Sequence, residues 1–105
     1  MAAEPERPGD VLNREILVAH GLTQADLSRA TGLSRVRVHQ LLSGKTRINS
    51  DVALRLAKVT STEATFWLQL QSDYDLAQSR KKMGSFLDHL VPIFQQDGDM
   101  QTVDC

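Results

Sequence analysis

One cysteine, three prolines and five aromatic side chains are all that the 105 residues hold of these types. The lone thiol, Cys105, closes no intrachain disulfide, so the fold owes nothing to an oxidising compartment. Uninterrupted apolar runs stop at three or four residues, which excludes a helical membrane span. The opening MAAEPERPGD carries acids where a signal peptide needs an apolar segment, and the expectation is a cytoplasmic protein with no membrane contact. Three histidines, His20, His39 and His89, fall on separate elements with no His-x-x-x-His pair and no cysteine cluster, so no metal site and no cofactor is expected. The serines sit mostly where helices need caps, which explains them without nucleophilic chemistry and speaks against an enzyme. A net charge of −1 excludes a nonspecific nucleic-acid coat.

That average conceals an asymmetry. From Arg29 to Lys58, seven Lys or Arg residues (29, 35, 37, 45, 47, 55 and 58) face one acid, Asp51, a local charge of +6 that the rest of the chain must offset with −7. Segregation of this kind is the footprint of a polyanion-binding face.

The periodicity is helical throughout, with no alternating β-branched run. Residues 1–7 read as a flexible arm, polar and proline-containing. Pro8 and Gly9 punctuate, and Asp10 caps a first helix to about Ala19 with Leu12, Ile16 and Leu17 inward. Thr23, with Asp26 three residues on, caps a second helix over about 24–31 that ends at Gly32. Ser34 caps a third over about 35–42, stopped at Ser43-Gly44. Asn49 or Ser50 caps a fourth to about Val59, burying Val52, Ala53, Leu56 and Ala57. Thr62 caps a fifth, where Phe66, Trp67, Leu70 and Tyr74 recur at helical intervals. Beyond Asp75, Met83, Phe86, Leu87, Leu90, Val91 and Phe94 keep that period, interrupted by Gly84 and Pro92. The expected architecture is all-α, a compact bundle of about five helices, with a helical extension at 81–94 for dimer or partner contact and an acidic tail at 95–105.

Helices two and three, pinched around Gly32 with small Ala25, Ser28 and Ala30 at their crossing and Leu27, Leu33, Val38 and Leu41 toward one core, form a helix-turn-helix. Gly32 suits a turn of positive φ. With helix three in a major groove, Arg35, Val36, Arg37, His39 and Gln40 stand on its leading end and outer face. Arginine binds guanine and glutamine binds adenine through paired hydrogen bonds, and valine touches a thymine methyl. Gln24, Ser34, Lys45, Thr46 and Arg47 surround them as phosphate contacts. Any one of these cations alone reads as a solvated surface charge; their convergence on one face is what points to double-stranded DNA.

The segment TQADLSRATGLS followed by VRVHQLLSGK resembles the Xre/Cro-type, lambda-repressor-like helix-turn-helix. From PGDVLNREIL through INSDVALRLAKVT to TFWLQLQSDYDLAQSR, residues 8–80, the chain is similar to the HigA branch of bacterial antitoxins, with FWLQLQSDYDLA the most specific part. This resemblance implies a homodimeric antitoxin that neutralises a HigB toxin, an mRNA-cleaving enzyme of the RelE type, and represses its own operon at an inverted repeat. A stand-alone Xre-type repressor is the alternative. On the same basis Gln24 and Ser34 match phosphate-contacting positions, Arg35, Val36 and Gln40 match base-reading positions, and Arg37 matches either. His39 departs from the commoner polar residue, leaving a phosphate contact or an exposed spectator.

Overall fold

Proline lacks an amide hydrogen and has a fixed φ, so it suits the first turn of a helix, where that hydrogen would find no partner. Pro8 opens the first helix for this reason in the computed structural model, which describes residues 4–94. Helix α1 (Pro8–Leu12) has Arg7 as its N-cap; Asp10 is not the cap but lies in the first turn and pairs with the Arg7 guanidinium at 3.3 Å. The chain continues without a break as a π-helix over Asn13–Val18. Its amides bond five residues back rather than four. Leu12 and Leu17 are buried, while Ile16 packs only partly against the core.

Gly9 is part of α1 and not a punctuation mark before it. A Cβ here would stand 2.4 Å from the Leu41 carbonyl oxygen and 2.5 Å from that of Leu42, so α1 crosses the end of the third helix with backbone against backbone.

Helix α2 (Gln24–Thr31) starts at a full capping box: the Asp26 amide donates to Thr23 Oγ1 at 3.0 Å and the Thr23 amide to Asp26 Oδ2 at 2.9 Å. Helix α3 (Arg35–Ser43) is capped by Ser34, whose Oγ accepts from the Arg37 amide at 3.0 Å. Of the two candidates for helix α4 (Ser50–Thr60), Asn49 is the cap, its Oδ1 taking the Val52 amide at 2.9 Å.

Helix α5 (Ala64–Met83) runs on well beyond Asp75. Its N-cap is Glu63 without a side-chain bond, because Thr62 is otherwise engaged: Thr62 Oγ1 accepts the Trp67 indole N–H at 2.8 Å and shares a 2.7 Å hydrogen bond with Thr60 Oγ1. A 3₁₀ helix, Gly84–His89, follows. No strand occurs among the described residues.

The core joins Val11, Leu12 and Leu17 to Leu27, Leu33, Val38, Leu41, Ile48, Val52, Ala53, Leu56 and Trp67. Trp67 is fully buried and meets Phe66 edge-to-face at 5.0 Å, yet Phe66 itself is exposed and Ala57 only half-buried. The apolar series from Met83 to Phe94 is also exposed, so among the described residues its helical period does not correspond to a core face. Residues 4–7 of the expected arm lie along the bundle, with Glu6 on Arg14 at 2.7 Å and Glu4 on Lys81 at 2.9 Å. The expected tail, 95–105, lies outside the described residues.

Candidate nucleic-acid interface

The turn between α2 and α3 is built from polar bonds that no apolar pattern reveals. Gly32 takes the left-handed conformation its position calls for, with φ of 78°. Thr31, buried, donates from Oγ1 to the Leu27 carbonyl at 2.7 Å and accepts the Leu33 amide at 3.2 Å. Ser28 Oγ donates to the Leu33 carbonyl at 2.6 Å, and Arg55 reaches over from α4 to donate to the Thr31 carbonyl at 2.7 Å. Ala25 and Ser28 are half-buried where the helices approach; Ala30, expected there too, is exposed, because it sits past the crossing beside Leu54 and Arg55.

This turn sets the orientation of α3. Val38 and Leu41 hold its inner face, and at 3.6 residues per turn Val36, His39 and Gln40 then fall opposite, flanked by Arg35 and Arg37. Arg35, Val36 and His39 are exposed, with Arg37 and Gln40 half-buried at the edges. All five base-reading candidates are therefore on one accessible side. Gln24 and Ser34 are exposed at the first turns of α2 and α3, where amide groups without helical partners point outward and the helix dipole favours an anion.

The loop after α3 turns at Gly44, whose φ is 83°, and is tied back to that helix. The Lys45 and Thr46 amides both donate to the Gln40 carbonyl, at 2.9 and 3.3 Å. Lys45 is exposed beside α3. Thr46 Oγ1 is buried and has no hydrogen-bond partner among the described residues. Arg47 is exposed but committed, its Nε and Nη2 both donating to Asp75 Oδ2 on α5, the former at 2.9 Å.

The cations of the basic segment thus divide. Arg29 is paired with Asp26 and Arg55 with Asp51, both within one helix. Among the described residues Arg35, Arg37, Lys45 and Lys58 make no ion pair; Lys58 lies on α4, and the other three border the outer face of α3. Charge counting along the chain overstates the free positive charge, since partners such as Asp75 lie 28 positions away. Sequence reasoning missed Asp75 and the buried Gln71 beside it, and only their place in the segment FWLQLQSDYDLA pointed toward them.

Comparison with known proteins agrees with this geometry. The Helix-turn-helix family description matches residues 14–67. Antitoxin HigA-1 of Vibrio cholerae serotype O1 is 30% identical over 90 residues, 86% of this chain and 85% of that protein. Among solved structures, an addiction module antidote protein of the HigA family from Coxiella burnetii superposes with a TM-score of 0.80 at 33% identity, covering 86% of this chain and 99% of the other. The Pseudomonas aeruginosa antitoxin HigA, solved with the higBA promoter, gives 0.81 at 32% identity over 87% and 99% of the respective chains.

Proposed function

Because the chain belongs to the Xre-type helix-turn-helix family and resembles its HigA antitoxins, we propose that it is a DNA-binding antitoxin of the bacterial cytoplasm. In this reading it represses its own operon as a homodimer and neutralises a HigB/RelE-type mRNA-cleaving toxin. The observation that carries the DNA-binding part is the outer face of α3, where among the described residues Arg35 and Arg37 make no ion pair and flank exposed Val36 and His39 and half-buried Gln40. Arg35, Val36, Arg37, His39 and Gln40 meet base edges, while Gln24, Ser34, Lys45 and Arg47 hold the phosphates on either side; Thr46 holds the loop, its amide bound to the Gln40 carbonyl. Residues 8–80 form the DNA-binding unit, and the two third helices of a dimer lie about 34 Å apart on an inverted repeat.

The test is a mobility-shift titration on the DNA upstream of the chain's own gene. Arg35→Ala and Gln40→Ala are each expected to cost about 1–3 kcal/mol and to relax sequence preference at one position. Lys45→Ala is expected to weaken all sequences alike and flatten the salt dependence by about one unit per protomer. Unchanged binding in all three variants would remove α3 from the groove. For the toxin, co-expression of the chain with the small protein encoded beside it should restore growth; failure leaves a repressor without a toxin partner.

A further inference from the structure

The interface loop is held from behind by a polar relay on α5. Gln71 is 6% exposed, and both ends of its amide are used: Oε1 accepts the Ile48 backbone N–H at 2.8 Å, and Nε2 donates to Asp75 Oδ1 at 3.0 Å. Asp75 in turn takes the Arg47 guanidinium on Oδ2. Two successive loop residues, one through its backbone and one through its side chain, are therefore fixed by side chains one turn apart on α5. Arg47 meets Asp75 through Nε and Nη2, which leaves Nη1 directed away from the pair.

We propose that Gln71, acting through Asp75, is a positioning residue for DNA binding: it fixes the loop from Gly44 to Ile48 so that Lys45 and the free edge of Arg47 meet the phosphate backbone in register with α3. This rests on the DNA-binding reading above. Three features support it. The loop's other anchors lie at its start and its end: the Gly44 amide on the Leu41 carbonyl, the Lys45 and Thr46 amides on the Gln40 carbonyl, Arg7 on the Ser43 carbonyl, and the buried Ile48 side chain. A buried glutamine that lost either partner would leave a polar group unsatisfied, so the arrangement is strongly determined. Finally, an arginine held by one edge loses less side-chain entropy on meeting a phosphate than a free one does.

The discriminating variant is Gln71→Met, which matches the side chain in length and changes no charge. In the full-length protein, its Ile48 amide should exchange with solvent faster than in wild type. Affinity for the upstream DNA should fall about tenfold, and the salt slope should drop by about one unit per protomer, as expected when a phosphate contact is lost. Arg47→Ala added to Gln71→Met should cost little more, because both remove the same contact. Leu70→Ala, which weakens core packing on the same helix, should leave the slope unchanged at a temperature where it is folded. Wild-type affinity and slope in Gln71→Met, full additivity with Arg47→Ala, or an equal slope change in Leu70→Ala would each overturn the proposal.

Should Gln71→Met fail to fold, Asp75→Asn takes its place: a reduced slope supports the relay, and unchanged or tighter binding refutes it. Failure of the DNA reading itself would be distinct, because the wild-type chain would then bind no duplex at all.

Discussion

Gly9 has no room for even a methyl group, since the atoms it would meet are backbone carbonyl oxygens that cannot rotate away. Gly9→Ala is expected to separate α1 from the end of α3 and to destabilise the protein by about 1–3 kcal/mol in urea denaturation. Asp26 offers a test by pH. Its carboxyl is held below the ordinary carboxylate range, first by the Thr23 backbone N–H, with further contributions from the Thr23 side chain and Arg29. A depressed folded-state pKa stabilises the fold above the unfolded value and ceases to do so as pH falls through the folded one. Asp26→Ala should therefore lower the melting temperature at neutral pH, and its deficit against wild type should shrink below about pH 4.

At the scale of elements, α5 is anchored by one residue more than any other. Trp67 is fully buried, and its indole N–H is satisfied by Thr62 in the turn between α4 and α5. Trp67→Phe removes the donor and leaves a cavity, and about 1–3 kcal/mol of stability should be lost in thermal unfolding. Thr62→Val, which removes only the acceptor and leaves the indole N–H buried, should account for a large part of that cost. The same logic explains why Thr62 failed as a helix cap: one hydroxyl oxygen engaged by an indole and by Thr60 is not placed for the helix amides. The π-helical stretch of Asn13–Val18 is another element-level result: Leu17 is buried on it while Ile16 is only half-buried.

For the whole molecule, the apolar side chains that end the described chain set the expectation. Phe86, Leu90, Val91, Ile93 and Phe94 are each more than half exposed, a concentration of apolar surface uncommon on a protein that stays monomeric. We propose that this surface closes the dimer, so Phe86→Asp combined with Leu90→Asp should shift the protein toward monomer in sedimentation and weaken operator binding with it. A dimer that persists unchanged would place self-association elsewhere.

The caps and turns of α2 and α3 were legible from local chemistry. Thr23 with Asp26, Ser34, Gly32 and Gly44 act where the residue types require them, because their bonds close within a few positions of the chain. The apolar period likewise determined which side of α3 faces inward, and so which side is left exposed. Tertiary structure alone decided the long-range bonds of two cations: Asp75 claims Arg47, and Arg55 reaches the end of α2, through contacts 28 and 24 positions apart. It alone decided that Gly9 is a crossing point and that the Met83 to Phe94 series faces outward. Helical period reports that a face is apolar, but whether that face is covered depends on what the rest of the chain places against it.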